Sequence, residues 1–352
     1  MDNKKYLIIY HKEDNDGVFS SALFYDYLIN TLNIDIKNID LLPADYNILS
    51  DFSNKLSVEE LHEKYTNIIM TDISFDNWKY IKAIWKEFKT DFTWCDHHAP
   101  IIKASFENHF SDIPGIRDIG RSAILCVWKY LYDQFDDDYN KKNVPELLRI
   151  LSGYDSWTYE KEGYGFDYVR NINRAVTIKY DLNIDKVYSL VKSLREVYLT
   201  NKPSGSFSGQ CKDMNLIKEL HDYGKQLTEY DDIVNKNIIE KSGDKSWEVW
   251  IDSNDKDNPH PIIHKACAIF HQGQSNSTMF KSLQNKGINH GIVFKHQPDG
   301  NWVMNMYNIN NDEWLHCGDF LKEKYHGGGH KGAAGCTLTE DQFIKILKAK
   351  KI

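Results

Sequence analysis

The sequence predicts an α/β protein in which a parallel-sheet N-terminal domain is followed by a smaller α/β C-terminal domain. In the first half, short apolar runs typical of buried strands alternate with stretches of helical periodicity, which is the pattern of a parallel sheet with crossover helices. Pro and Gly then gather in residues 201–213, and new strand-like runs follow them. We therefore expect a first domain over residues 1–200, a linker and connecting helix over 201–245, and a second domain over 246–352.

The composition of the chain argues against several classes of partner. Its 352 residues include 43 Lys plus Arg against 51 Asp plus Glu, a formal net charge of −8. Long duplex DNA is not expected as a partner, because proteins that bind it carry a basic surface. A membrane partner is not expected either, since no apolar stretch approaches the roughly 20 residues that span a bilayer. The six cysteines form no Cys-x-x-Cys pair, which indicates a reduced, cytoplasmic protein.

The first predicted strand, residues 6–10, runs into a polar turn and then into a helix at residues 18–32. The turn carries His11, Asp14 and Asp16 directly after the strand. Aspartate at a helix start is an ordinary cap, which explains one carboxylate but not both of them together with the histidine. Open α/β sheets bind their ligands at the carboxyl ends of the strands, so this turn is a candidate site.

Three more strands are predicted in this half of the chain, at residues 39–42, 67–71 and 92–95. The strand at 67–71 is followed directly by Asp72, and Asp76 is expected to cap the next helix. In a parallel sheet the carboxyl ends of the strands lie at one edge. Asp72 is therefore expected beside the polar turn of the first strand.

The last of these strands ends in Asp96-His97-His98, one carboxylate followed by two adjacent imidazoles. Adjacent side chains at a strand end diverge, so the two histidines are not expected to ligate one ion together. We expect one histidine to bind a metal and the other an anionic ligand, with Asp96 orienting a ring.

Farther along the chain, helices are predicted at residues 121–131 and from Asn143 onward, and the second of them leads to Asp155 between aromatic residues. A long helical stretch follows at residues 216–239. The second domain is then predicted to contain strands at 247–251, 262–270, 292–294 and 302–304.

A glycine-rich loop near the C-terminus is a candidate anion-binding site. Consecutive glycines remove side chains, so the backbone amides of Gly328 and Gly329 could close on a ligand as an anion-binding nest. His330 and Lys331 supply side-chain donors beside them. We therefore interpret the segment as a binding loop rather than as a simple flexible turn.

The first half of the chain thus gathers metal-binding side chain types at strand ends and one helix end: His11, Asp14, Asp16, Asp72, His97 and Asp155. Four carboxylates and two imidazoles cannot converge around empty space, because like charges repel and raise one another's pKa. Two divalent cations, with one carboxylate bridging them, would remove this repulsion. Mixed oxygen and imidazole ligands without thiolate suit Mn²⁺ best, and Mg²⁺, Co²⁺ and Fe²⁺ are alternatives.

These residues resemble, in their order along the chain, the motifs of the DHH phosphoesterase superfamily, in the branch that carries a C-terminal DHH-associated domain. The resemblance spans both predicted domains, and the nanoRNase or oligoribonuclease-like phosphodiesterases are the type it indicates. It rests on His11-x-x-Asp14-x-Asp16-Gly17, Asp72, Asp96-His97-His98, Asp155 and the loop Gly327-Gly328-Gly329-His330.

The resemblance implies roles for individual residues. The six metal-binding side chains would hold two Mn²⁺ ions, with Asp72 bridging them. His98 and Asp96 would be the catalytic pair, His98 in contact with the scissile phosphate and Asp96 supporting it without binding a cation. Gly328, Gly329 and His330 would bind the far side of the substrate.

The chain departs from the family pattern before the glycine motif. The associated domain usually carries an arginine there, whereas this chain reads Asn305-Met306-Tyr307-Asn308. Lys331 or Arg121 is the alternative cation for a substrate phosphate.

The resemblance and the composition together predict a metal-dependent phosphodiesterase that cuts short oligoribonucleotides or linear dinucleotides to mononucleotides, with cyclic dinucleotides and adenosine bisphosphate as the next substrates to test. The acidic balance favours small substrates, because long polyanions bind through a basic track. The first alternative is a phosphoanhydride hydrolase of the exopolyphosphatase or pyrophosphatase kind, which is less favoured because the aromatic-rich second domain could stack bases. The others are a RecJ-type single-strand exonuclease and a non-catalytic nucleotide binder. A homodimer is compatible with these expectations.

Overall fold

The structure is a computed structural model that describes residues 5–132, 144–200, 208–242, 247–253, 262–273, 275–284, 286–309, 315–329 and 331–349. The chain divides into two compact units, Met1–Thr228 and Glu229–Ile352. Both are mixtures of helices and a sheet, so the predicted α/β class is confirmed. Within the described ranges, no helix combines the length and the apolar character that crossing a membrane requires.

The sheet of the first unit contains four parallel strands in the spatial order β2-β1-β3-β4. The bounds of these strands are Tyr6–His11 for β1, Ile39–Ala44 for β2, Asn67–Thr71 for β3 and Phe92–Cys95 for β4. Parallel pairing was predicted from the alternation of strands and helices, and it is confirmed. The order makes β1, β3 and β4 neighbours, so the ends that carry the candidate residues do lie side by side.

Helices connect and cover these strands. They are α1 Asn15–Asn30, α2 Tyr46–Lys55, α3 Val58–Lys64, α4 Trp78–Phe88, α5 Ala99–Glu107, α6 Ala123–Tyr132, α7 Glu146–Asp155, α8 Phe166–Tyr180, α9 Ile184–Thr200 and α10 Ser208–Ser242, the last of which continues into the second unit. The predicted cap at Asp76 is wrong, because Asn77 caps α4 by accepting a hydrogen bond from the Tyr80 amide. Of the predicted linker, residues 201–207 lie outside the described residues. The domain boundaries expected from the sequence stay predictions.

The side chains of β1 alternate between two hydrophobic clusters, one on each face of the sheet. Ile8 packs with residues of α1 and of α6 to α9, whereas Ile9 packs with residues of α2 to α5. Both side chains are fully buried. Because both faces of the sheet are covered by helices, only its strand ends are left to meet a ligand.

The second unit is built on a six-stranded sheet in the order β5-β6-β7-β8-β10-β9, in which only the β6–β7 pair is parallel among the described strands. The bounds are β5 Trp247–Ser253, β6 Ile262–Phe270, β7 His290–His296, β8 Trp302–Asn308, β9 Gly328–Gly329, β10 Ala333–Leu338, α11 Cys317–Tyr325 and α12 Glu340–Ala349. The four strands expected from the sequence in this region are all present, and the observed strands are as long as or longer than predicted.

The polar turn after β1 is held close to the start of α1, and Gly17 permits this approach. A Cβ atom at position 17 would lie 2.1 Å from the carbonyl oxygen of His11, far inside van der Waals contact. A side chain there would therefore have to push His11 away from the helix.

We expect Gly17→Ala to lower the free energy of unfolding by about 1–3 kcal/mol, the usual cost of forcing extra atoms into a packed interior. Urea unfolding measured in the absence of metal tests this. Gly328→Ala in the edge strand β9 is the control, because an added methyl group there meets no atom within 4 Å. Equal unfolding midpoints for Gly17→Ala and the wild type would show that the turn can relax without cost.

Candidate metal centre

The candidate residues meet where the strand connections change direction. From β1 the chain goes to β2 on one side, and β3 lies on the other side of β1. His11 ends β1, Asp72 follows β3, and His97 follows β4. Ligand sites of open α/β sheets form at this kind of switch point. Asp16 in the first turn of α1 and Asp155 at the end of α7 reach the same place.

One group of ligand atoms consists of His11, Asp14 and Asp72, which lie within 4.8 Å of one another. The His11 Nδ1 atom is 3.1 Å from Asp14 Oδ2 and 3.7 Å from Asp72 Oδ2. The other oxygen of Asp14 accepts a hydrogen bond from the Gly17 amide and caps α1. Asp14 therefore caps the helix with one oxygen and turns the other toward His11, where it is able to serve as a metal ligand.

A second group consists of Asp16, His97 and Asp155, also within 4.8 Å of one another. The His97 Nε2 atom is 3.5 Å from Asp16 Oδ2 and 3.2 Å from Asp155 Oδ2. Asp16 is held by the start of α6, since its two oxygens accept hydrogen bonds from the backbone amides of Ala123 and Ile124, at 2.7 and 2.9 Å. These bonds fix the orientation of the carboxylate.

Asp72 lies between the two groups and turns one oxygen toward each. Its Oδ2 faces His11, and its Oδ1 is 3.3 Å from His97 Nε2. The residue is 1% exposed, and neither oxygen has a hydrogen-bond partner within the described part of the chain. Its backbone has a φ of +58°, a conformation that Asp adopts more readily than most residues. A buried carboxylate is costly unless positive charge or hydrogen bonds offset it, and Asp72 has a histidine on each side that can supply positive charge.

The two histidines of the tripeptide have different neighbours. His97 belongs to the second group, whereas the Nδ1 atom of His98 is 2.9 Å from Asp96 Oδ1. The same Asp96 oxygen accepts hydrogen bonds from the backbone amides of His97 and His98. Asp96 is fully buried and orients the His98 ring, as expected for one of the two histidines. His98 also lies within 4.8 Å of Asp72 and His97, at the edge of the cluster.

The pKa values of the site residues are shifted, because several ionisable groups lie close together in a buried place. Burial disfavours the charged form of His11, yet the hydrogen bond with Asp14 and the negative charges of Asp14 and Asp72 outweigh it and raise the His11 pKa to about 11. Burial and the charge of Asp72 raise the pKa of Asp16 to about 7. Burial raises the pKa of Asp155 as well, with Asp16 adding to the effect. Burial opposes ionisation of Asp72 too, but its histidine neighbours hold the Asp72 pKa well below its usual range.

The donor set fits divalent metal ions. Both oxygens of Asp72 and the Oδ2 atom of Asp155 are buried without a hydrogen-bond partner among the described residues. Carboxylate oxygens and imidazole nitrogens are ligands for Mn²⁺, Mg²⁺, Co²⁺ and Fe²⁺. The two groups are therefore able to hold metal, and a cation in each would supply the positive charge that the carboxylates lack.

Two residues that support the site were missed at the sequence level. Asn15 lies between Asp14 and Asp16, and its side-chain amide donates to Asn173 Oδ1 at 2.8 Å and to Thr177 Oγ1 at 2.9 Å on α8. An Asn enclosed by two site aspartates could have been suspected from the sequence.

Arg117 supports the strand that ends in Asp96. Its guanidinium donates to the backbone carbonyls of Trp94 and Ile113, both at 2.8 Å, and stacks over the Trp94 ring at 5.2 Å. No local pattern marks this role, because the partners are backbone atoms of other segments.

The predicted substrate-binding residues fall in other places. Gly328 and Gly329 form the short edge strand β9 paired with β10, so the glycine segment is an edge strand rather than a free loop. Lys331 is exposed, and its carbonyl accepts a hydrogen bond from the Cys317 amide. His330 lies outside the described residues. Arg121 in the first unit forms an ion pair with Asp118 at 3.2 Å. Substrate binding by these residues stays a prediction.

Comparison with solved structures identifies the fold. The chain is similar to the DHH domain of a member of a family of ribosomal proteins, with a TM-score of 0.50 and 11% identity over 99% of this chain and 86% of that one. It is also similar to a pGpG-specific phosphodiesterase from Vibrio cholerae (TM-score 0.45, 15% identity, 98% and 97% covered) and to RecJ in complex with Mn²⁺ from Thermus thermophilus (TM-score 0.45, 12% identity, 99% and 51% covered). No family model matches the sequence. No curated protein matches it significantly. The predicted DHH fold is confirmed.

Metal binding should release protons, because the metal-free site is protonated near neutral pH. His11, whose pKa is raised to about 11, carries a proton that a cation must displace, and the raised pKa of Asp16 favours proton release in the same direction. We expect at least one proton released per site filled at pH 7, and affinity that rises from pH 6 to pH 8. Calorimetric Mn²⁺ titration in two buffers of different ionisation enthalpy measures this number. Binding without proton release would mean that His11 is not a ligand.

Proposed function

We propose that this chain, which has the DHH-superfamily fold, is a phosphodiesterase that uses two divalent cations to hydrolyse short oligoribonucleotides or linear dinucleotides to mononucleotides. The observation that carries the proposal is the division of Asp72 between two ligand groups. One carboxylate with an oxygen toward each group is the arrangement expected of a residue that bridges two cations. Paired cations are a common solution for phosphoryl transfer to water.

The protein would supply the ligands and the positions for this reaction. His11 and Asp14 would hold one cation, Asp16, His97 and Asp155 the other, and Asp72 both. When bound, the cations would neutralise charge on the phosphoryl group under attack and make a water molecule more acidic. Mn²⁺ suits the mixture of oxygen and nitrogen ligands, with Mg²⁺ and Co²⁺ as the alternatives to test.

His98 is suited to contact the scissile phosphate. Its Nδ1 faces Asp96, so Nε2 is the atom that would donate to a phosphoryl oxygen. Burial disfavours a charge on this ring, but the hydrogen bond with Asp96 raises the pKa of His98. A protonated imidazole beside the metal centre would stabilise negative charge that develops on the phosphate.

An exposed aromatic stack beside the metal centre favours a nucleotide over a polyphosphate. Trp157, two residues after Asp155, is 42% exposed and lies nearly parallel to Phe166, with ring centroids 5.8 Å apart and an interplanar angle of 13°. Phe166 in turn stacks with Tyr154 at 6.3 Å. The column has a solvent-exposed end on which a base can stack, a contact that a polyphosphate cannot make.

The remaining proposals concern the length of the substrate, the cellular location of the protein and its oligomeric state. The net charge of −8 favours a short substrate over long duplex DNA. We also propose a cytoplasmic protein without a membrane partner, and a homodimer as the assembly to test.

Asp72→Ala should lower kcat at least about a hundred-fold and reduce the bound metal. A residue that binds both cations contributes more than a group that only hydrogen-bonds to a metal ligand, whose loss typically costs about 10–100-fold. His98→Ala is the comparison: it should lose rate while it keeps both metals, since His98 is assigned to the phosphate. Metal content by elemental analysis and turnover of a dinucleotide with Mn²⁺ are the measurements. Near-normal turnover in Asp72→Ala would end the two-metal proposal.

Trp157→Ala should raise KM for a dinucleotide about 5- to 150-fold, which corresponds to the ~1–3 kcal/mol that base stacking contributes. Hydrolysis of bis(p-nitrophenyl) phosphate, which carries no base, should change little. Trp157→Phe, which keeps an aromatic ring, is the matched control. Its KM for the dinucleotide should lie between those of the wild type and Trp157→Ala. An unchanged KM in Trp157→Ala would remove the main argument against a phosphoanhydride substrate.

A further inference from the structure

A small polar cavity lies in the first unit between α2 and the segment that follows β3. Its volume is about 100 Å³, room for several water molecules or for the edge of one planar ring system. Its wall is formed by two short segments and their neighbours, Tyr46, Leu49, Ser50, Ser53, Asn54, Ser74, Phe75, Asp76 and Asn77. The metal ligands do not line it, so it is separate from the centre described above.

The cavity adjoins the metal centre on its His11 side. Tyr46, the first residue of α2, stands 42% exposed in the cavity wall, and its ring centroid is 6.4 Å from that of His11. Asp76, which also lines the cavity, follows Asp72 by four residues. A group in the cavity is therefore close enough to His11 for one molecule to reach both places.

Polar groups in the wall lack partners within the protein. Ser74 is fully buried, and its hydroxyl has no hydrogen-bond partner in the described part of the chain. A buried group of this kind is commonly satisfied by a ligand or by ordered water. Because Asn77 caps α4, Asp76 does not cap this helix, and its solvent-exposed carboxylate lines the cavity without a hydrogen bond or ion pair to any described residue.

The chemistry of the wall selects the kind of ligand. It contains one carboxylate, amide groups and several hydroxyls, but no lysine, arginine or histidine. A phosphate group would meet the Asp76 carboxylate without a compensating cation, so phosphate is disfavoured. An uncharged group with two adjacent N–H donors would be favoured, because one carboxylate can accept both.

We propose that this cavity binds the guanine base of the substrate nucleotide, with Asp76 accepting hydrogen bonds from the ring N1–H and the exocyclic amino group. Guanine presents these two donors side by side, whereas adenine presents an acceptor at N1 that the carboxylate repels. Tyr46 offers its ring at the cavity wall. The proposal rests on the proposed function and adds a base preference to it.

The test compares guanine and adenine substrates on the full chain with Mn²⁺. We expect kcat/KM for 5′-phosphorylated diguanosine to exceed that for the matching diadenosine by about ten-fold or more, the discrimination that a charge-assisted hydrogen bond gives. Asp76→Asn should remove most of this preference through KM and leave hydrolysis of bis(p-nitrophenyl) phosphate unchanged. Asp51→Asn is the matched control, because Asp51 is an exposed residue of α2 paired with Lys55 outside the cavity, and it should behave as the wild type.

The outcomes separate this proposal from the function on which it rests. If the reporter ester is cleaved but the guanine preference is absent or survives in Asp76→Asn, the base site is refuted and the phosphodiesterase stands. If neither reporter nor dinucleotide is cleaved, the proposed function fails. Equilibrium dialysis with guanosine and adenosine monophosphates then decides on the cavity: tighter guanosine binding that Asp76→Asn abolishes supports it, and equal binding overturns it.

Discussion

A buried carboxylate, Asp72, is the constraint on which the rest of the first unit depends. It has no hydrogen-bond partner among the described residues and sits between two groups of ligand atoms at the switch point of a parallel sheet. An uncompensated charge in such a place costs several kcal/mol. The surrounding histidines offset part of this in the metal-free protein, as the direction of their pKa shifts shows. Cations bound by the two groups would offset the rest.

The scaffold of the site is assembled from backbone interactions at each strand end. Gly17 allows α1 to begin beside the carbonyl of His11, and the amides at the start of α6 fix Asp16. Asn15 ties the same turn to α8, and Arg117 supports the strand that delivers Asp96. Each contact fixes the position of a candidate ligand, and such supporting contacts are what a rigid metal centre requires.

The substrate class that we propose rests on two features in the surroundings of the candidate metal centre. An aromatic column that ends in Trp157 lies on the Asp155 side, and a polar cavity bounded by Tyr46 and Asp76 lies on the His11 side. Both features suit nucleosides, and neither suits a bare chain of phosphates. The sequence had directed attention to the second domain for base recognition, whereas these two features belong to the first unit.

The sequence by itself determined the local structure: the strands of the first sheet, their parallel pairing and the polar residues that follow them are all predicted by the alternation of apolar runs with helical periodicity. Only the tertiary structure decided how those residues divide their roles. In the structure Asn77, and not Asp76, caps α4. His97 lies in a ligand group, whereas His98 contacts Asp96. Asp72 has one oxygen facing each group. The reason is physical, because these choices depend on atoms that are distant in sequence and meet only when the sheet and its helices pack together.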